Sequence, residues 1–338
     1  MKLVTFEVAT PLGPVERLGA LRGAKIVDLN FAAALLYAAK GRDRASERAD
    51  FFVPPCLLGL LDGGAESMSE AARALDALRG EPAGSNGERV VWREKEIRLK
   101  APLPRPRSLR DFFAFENHAK AGAARRNETV PDAWYEQPVY YKQNPREIYG
   151  PGDVLPWPDY TRKLDFEFEV CAIVGKPGRD LSVAQAPRHI AGYCVMNDCS
   201  ARDIQRNEML CRMGPAKGKD FATALGPWFV TADEWRGKLP ELKVRVNGKE
   251  WSRSQGAQPY WSFAVMLSHV SQGETLFPGD VFGSGTFHTG CGLDMNRWIK
   301  PGDRLELDAG PLGVLTNKVG APKGRKHLKY NRDGSYAK

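Results

Sequence analysis

The chain has 338 residues, 42% of them hydrophobic and 27% charged, with a formal net charge of +8, values typical of a globular protein large enough for two domains. Its longest apolar stretch, 31–39, falls well short of the roughly 20 residues a lipid-spanning helix needs, so no membrane association is expected. Six cysteines, none in a CxxC pair, argue against a disulfide scaffold and weaken a zinc–thiolate reading, and a cytoplasmic setting is expected.

In chain order, Met1 to Glu7 alternate as a first strand and lack the apolar core of a secretory signal. Strands are predicted at 4–9 and 15–20, joined by the turn-like Pro11-Leu12-Gly13-Pro14. Asn30 is the expected cap of a helix over 31–40. Pro54 and Pro55 suggest that 51–55 is extended. A second helix is expected to start near Ser67, with Glu70 completing a capping box and Ala71, Leu75 and Leu78 on one face. The Gly- and Pro-rich stretch 79–87 is the best boundary, giving a small N-terminal domain (1–90) and a larger one (91–330). Beyond it the pattern is mainly β, with strands at 90–92, 97–99, 165–174, 225–231, 242–246, 260–266 and 305–308. The basic stretch 318–329, with Lys323, Arg325, Lys326, His327 and Lys329, reads as a solvated tail. Without interleaved aromatic residues it gives no reason to expect nucleic-acid binding.

Five stations carry candidate chemistry. Glu167 and Glu169 stand two apart on the predicted strand, so both carboxylates share a face. Such a pair suits a cation, although a solvent-facing strand explains it as well. Asp198 ends an apolar run in Asn197-Asp198-Cys199-Ser200-Ala201-Arg202-Asp203-Ile204-Gln205, where Arg202 and Asp203 could pair to hold a turn. All-oxygen donors favour Mg2+, with Ca2+ or Mn2+ as alternatives. Asp111 and His118 lie in Asp111-Phe112-Phe113-Ala114-Phe115-Glu116-Asn117-His118. An imidazole that titrates near neutrality makes His118 the candidate base, and a structural histidine is the bland alternative. The Gly-rich segment Gly283-Ser284-Gly285-Thr286-Phe287-His288 could bring backbone N–H groups to a ligand. It is not a phosphate loop. Lys219 and Thr223 lie close together, and a lysine there could hold a substrate carboxylate or an enolate.

Taken together, the Asp111–His118 block, the Glu-x-Glu strand, the Asn197–Gln205 block, Lys219 to Pro227, Gly283 to Thr286 and the late Gly313 to Asn317 resemble the fumarylacetoacetate hydrolase family over roughly residues 105–320. The resemblance implies a mixed, mainly β fold, a β-roll catalytic domain behind a smaller N-terminal α+β domain, and a homodimer. It implies Asp111, Glu167, Glu169 and Asp198 as metal ligands and His118 and Lys219 as catalytic residues. Arg126 (or Arg125), Tyr141, Arg202, Gln205, Thr223 and Thr286 are the implied substrate contacts. The implied reaction is metal-dependent hydrolysis of a carbon–carbon bond in a fumarylacetoacetate- or acylpyruvate-like diketo acid. The alternatives are a decarboxylase, isomerase or hydratase of a related oxo acid, or a nonenzymatic metal- or nucleic-acid-binding protein. The sequence departs from the pattern at the histidine's partner: Ala121 stands where some members carry glutamate, and 287–296 contains no glutamate. Glu116 and Glu128 are the available substitutes. Met209 stands where some relatives carry tyrosine.

Overall fold

The structure is a computed structural model describing residues 1–254, 256–324 and 329–337; Arg325, Lys326 and His327 of the expected tail lie outside the described residues. The chain opens with β1 (Lys2–Thr10) and β2 (Gly13–Arg22), a hairpin whose Gly13 takes φ 111°, a conformation that favours glycine. The other principal strands are β3 (Lys25–Asp28), β4 (Val91–Arg93), β5 (Ser108–Phe112), β6 (Tyr140–Gln143), β7 (Phe168–Val174), β8 (Ile190–Asp198), β9 (Thr223–Thr231) and β10 (Asp280–Gly283). They belong to a twelve-stranded sheet in the order β4-β3-β2-β1-β9-β8-β7-β10-β5-β6. The N-terminal strands thus extend the same sheet as the acidic strands, β1 pairing antiparallel with β9.

Period two divides this sheet into two cores. Phe168, Val170, Ala172, Val195, Ala224 and Phe282 face one way, toward a five-stranded sheet that supplies Val244, Leu305, Leu307 and Leu315. Cys171, Ile173, Cys194, Met196, Leu225 and Phe229 face the other way, toward four N-terminal helices. These are α1 (Leu29–Ala39), α2 (Ala45–Phe52), α3 (Leu57–Asp62) and α4 (Gly64–Ala77). The fold is the mixed, mainly β arrangement the sequence suggested. The Gly- and Pro-rich stretch 79–87 is the loop between α4 and β4, and a two-domain division there is proposed on that ground.

Several local expectations are corrected. Asp28, not Asn30, caps α1, its carboxylate accepting from Phe31 N. Asn30 is buried in the first turn, donating to Asp50 and to the Val53 carbonyl. Phe51 and Phe52 are helical, because Pro54 and Pro55 follow the end of α2 and bar only its continuation. Helix α4 starts at Gly64, so Ser67 lies inside it, and Glu70 binds Tyr37 and Arg73 rather than closing a capping box. Leu78 ends the helix in an extended conformation. The strand expected over 260–266 is largely a helix, Phe263–Ser271, capped by Ser262; its short apolar run does not separate period 2 from period 3.6. The predicted strand 165–174 is interrupted. Leu164–Asp165 pairs with Ser200–Ala201, and β7 begins only at Phe168.

Candidate metal centre

Register brings the acidic residues together at one end of the sheet. Gly283 of β10 lies opposite both Asp111 of β5 and Cys171 of β7, and Asp111 lies opposite Tyr141 of β6. Residues directly opposite share a face, so Asp111, Tyr141 and Glu169 (two before Cys171) point the same way. Glu169 pairs with Met196 on β8, and Asp198, two residues on, reaches that face beside Thr223. Oxygens of Asp111, Glu169 and Asp198 consequently converge within 4.8 Å of one another, all three side chains buried.

Partners are few. Gly285 N donates to Asp111 Oδ1 (3.2 Å) and Glu169 Oε2 (2.9 Å), and the Tyr141 hydroxyl donates to Asp111 Oδ2 (2.7 Å) and to Asp198. Glu169 Oε1 and Asp198 Oδ1 are buried with no hydrogen-bond partner among the described residues, an arrangement that costs free energy unless a cation completes it. Gly283 leaves the space open: a Cβ there would lie 2.5 Å from Asp111 Oδ1 and 3.0 Å from Glu169 Oε2. Burial pushes all three carboxyls above the usual carboxylate range, strongly for Glu169 and Asp198, where the neighbouring Asp111 charge adds to it. Crowded, buried, unpartnered oxygen donors of this kind fit a hard divalent cation.

Glu167 is placed differently from the expected fourth ligand. The break before β7 turns it toward Lys219 and Arg202: the ammonium donates to Glu167, Asp198 and Ser200, and Arg202 Nη2 donates to Glu167 at 2.9 Å. Burial disfavours the Glu167 carboxylate, but Arg202 and Lys219 outweigh it and hold its pKa well below the ordinary range. Lys219, itself buried, is kept protonated by Asp198 and Glu167 against its own desolvation. Arg202 also donates to Asp165 (2.8 Å) and to Gln205 (3.0 Å), not to Asp203 as expected; Asp203 instead accepts from Thr161 and Arg162 N.

His118 lies in α5 (Glu116–Ala124), buried, with Nε2 3.9 Å from Glu167 Oε1. Its Nδ1 lies 2.7 Å from Asp294 Oδ2, so the partner sought among glutamates is an aspartate within a short helix, Gly292–Met295. Burial works against the Asp294 carboxylate, but His118 and then Arg125 outweigh it and hold its pKa down at about 2. Glu116 is occupied with Lys120 and Tyr135, and Glu128 with Arg126. Arg126 is exposed and pairs with Glu128, whereas Arg125 reaches Asp294 Oδ1 at 2.9 Å. Thr223 donates to Gln143, and Thr286 donates to the Phe168 carbonyl, supporting the strands that carry Asp198 and Glu169. Asp165 also went unremarked in the sequence. Fully buried, it accepts from Arg202 and from the backbone of Gly292 and Leu293, tying the Asp294 loop to the acidic strand. Its place two residues before Glu167 was the available signal.

The chain is similar to the oxaloacetate tautomerase YisK of Bacillus subtilis, 29% identical over 67% of this chain and 74% of the relative. It is also similar to the mitochondrial oxaloacetate tautomerase FAHD2A of Homo sapiens, 28% identical over 94% of this chain and 91% of the relative. Among solved structures, the maleylpyruvate hydrolase of Sphingobium sp. SYK-6 in complex with manganese(II) and pyruvate superposes with a TM-score of 0.66. It is 20% identical and covered over 96% of this chain and 100% of that one, which shows a shared fold. These relatives correct two expectations. Both of these sequence relatives are oxaloacetate tautomerases, so the reading as a hydrolase of carbon–carbon bonds does not stand. A mitochondrial relative likewise removes the ground for a cytoplasmic assignment. Residues 108–320 match the model for the fumarylacetoacetate (FAA) hydrolase C-terminal domain, and with the fold and the acidic strands in agreement, the chain belongs to the fumarylacetoacetate hydrolase family.

Proposed function

We propose that this chain is a divalent-cation-dependent tautomerase of a small 2-oxo dicarboxylic acid such as oxaloacetate. The observation that carries the reading is the buried trio Asp111, Glu169 and Asp198, with two unpartnered oxygens, beside a His118–Asp294 pair. Similarity to oxaloacetate tautomerases supports this reaction type.

Asp111, Glu169 and Asp198 would hold the cation, Mg2+ or Mn2+, with Glu167 next to them. Once bound, the cation would polarise the substrate's oxo group and make the adjacent C–H more acidic. His118 then takes the proton from carbon. Its Nδ1 is tied to Asp294, which leaves Nε2 as the nitrogen that accepts, and the aspartate steadies the imidazolium that forms. The Lys219 ammonium lies beside Glu167 and Asp198, where it offsets negative charge growing on the substrate oxygen. Arg125, partly exposed beside Asp294, is placed to receive a distal substrate carboxylate. Tyr141, Arg202, Gln205, Thr223 and Thr286 position these groups. The imidazolium then gives up the proton it took and the substrate oxygen takes one, so the net change moves one proton from carbon to oxygen, or back along the same path as the enol relaxes, consumes no water and breaks no carbon–carbon bond. A homodimer, implied by the family resemblance, belongs to the same reading and is checked by light scattering.

The test follows the ultraviolet absorbance of enol oxaloacetate as it relaxes, with Mg2+ or Mn2+ present and product mass recorded. Acceleration over buffer at unchanged mass is expected. His118→Asn should lower kcat about 10²- to 10⁴-fold while cation affinity stays within a few-fold. Relaxation at the solvent rate by folded, cation-loaded protein would sink the reading.

A further inference from the structure

Outside the carboxylate trio, a second group of donor atoms converges. A ring nitrogen of His118, Sγ of Cys291 and a carboxylate oxygen of Asp294 lie within 4.8 Å of one another. The Cys291 side chain is fully buried. At the rim, His288 brings Nδ1 to 3.5 Å from Asp294 Oδ2, with 47% of its side chain exposed. His288, Cys291 and Asp294 follow one another at three-residue intervals. The loop that carries them is pinned: Gly290 N donates to the Phe287 carbonyl, and Thr289 N donates to Asp294. Donors from one turn and the short helix that follows it are therefore presented to a histidine from a distant helix.

These donors differ in kind from the trio. The trio is all oxygen and suits a hard ion, whereas thiolate, imidazole and carboxylate together suit a borderline-soft one. A tetrahedral zinc ion sets its donors roughly 3.4–3.7 Å apart, from bond lengths of about 2.0–2.3 Å. Atoms already within 4.8 Å reach that spacing with a side-chain adjustment of about 1 Å. Half-exposed His288 provides a way in from solvent and a fourth donor. Arg125, which borders Asp294, is about one-third exposed and has room to swing away as the cation arrives.

We propose that His118, Cys291 and Asp294, closed from the rim by His288, form a second cation site that prefers a borderline-soft ion of the Zn2+ class, and that filling it removes His118 from proton transfer. On binding, the Cys291 thiol gives its proton to solvent and the sulfur becomes a ligand. Zn2+ would then inhibit at a place separate from the activating ion. Only this inhibitory consequence rests on the assignment of His118 as base; binding itself does not.

The full chain, saturated with Mg2+, is titrated with Co2+ as a spectroscopic probe and then with Zn2+. A near-ultraviolet thiolate-to-cobalt band is expected, saturating at one equivalent and bleached by Zn2+. Cys291→Ser should abolish the band and weaken Zn2+ binding and inhibition about tenfold or more, while Mg2+-supported turnover persists. Should that variant fold poorly by circular dichroism, His288→Ala at the exposed rim should weaken Zn2+ several-fold and leave the fold intact. Absence of the band in the wild type, its persistence in Cys291→Ser, or equal Zn2+ sensitivity in wild type and folded variant overturns the proposal. A Cys291-dependent band in a protein without tautomerase activity keeps the site and rejects only the proposed function.

Discussion

An imidazole accepts a proton only through a nitrogen that does not already carry one, so the group bonded to its other nitrogen decides how it works. In this chain Asp294 makes that choice. It is buried and bonded to His118 Nδ1, and Arg125 and Thr289 N bind its carboxylate as well. Asp294→Asn keeps the size but can present an amide N–H to Nδ1, which favours the tautomer with the proton on Nε2. We expect kcat to fall about 10²-fold or more, with KM changed little and the pH–rate profile displaced. Asp294→Glu should recover part of the rate. An unaltered pH profile in the Asn variant would reduce Asp294 to a packing role. The histidine was legible in the sequence and its partner was not. A carboxylate one methylene shorter than glutamate, placed by a turn at Phe287–Gly290, is invisible to spacing measured along the chain. Glu167 shows the converse: its alternation with Glu169 is plain in the sequence, but the strand break at 166–167 and the pull of Lys219 and Arg202 decide where its oxygens go.

Strand register, rather than any one residue, builds the trio. Asp111 and Glu169 sit on different strands that flank β10, and the absent side chain of Gly283 lets their carboxylates meet over it. A Cβ at Gly283 would also come within 2.8 Å of Met196 Cε, and only that methionine end can give way cheaply. Gly283→Ala should therefore cost cation affinity more than folding: about tenfold or more in Kd, on the scale of about 1.4 kcal/mol, with the far-ultraviolet spectrum unchanged. Calorimetric titration with Mn2+ checks this, and wild-type affinity in the variant would show that the trio needs no such gap. Helix α1 offers a separate test. Asp28 caps it and is held by Arg17 Nε at 2.7 Å, so Asp28→Ala should destabilise the protein by at least about 1 kcal/mol, measured by urea unfolding, whereas loss of a mere surface charge would cost little. At this scale, long strands such as β1, β2 and β9 were readable from sequence. Caps and the helix over Phe263–Ser271 were less so, because Asp28 and Asn30 are equally good capping residues and tertiary contacts choose between them.

For the whole molecule, the trio ties stability, pH and cation binding together. Burial pushes Asp111, Glu169 and Asp198 above their unfolded pKa values, and the Asp111 charge adds to the shift of the other two. A carboxyl with a raised folded pKa contributes stability that is fully present below its unfolded pKa, and this is lost as pH rises through the folded value. The opposite contributions of Glu167 and Asp294, whose pKa values are lowered, are complete above their unfolded values and vary only in acid. Above that acid range, then, the metal-free protein should lose stability as pH climbs through the raised values of the trio. A divalent cation reverses the sign, because it needs the ionised oxygens and displaces their protons. Its stabilisation should grow with pH and reach about 2.7 kcal/mol when free cation stands at 100 times Kd. Thermal unfolding with Mg2+ or with chelator, at a series of pH values, should give curves that diverge as pH increases, and calorimetry in buffers of different ionisation enthalpy should show protons released on binding. Parallel curves with no proton release would mean that the three carboxyls are already ionised without the cation, and that Lys219 alone balances their charge.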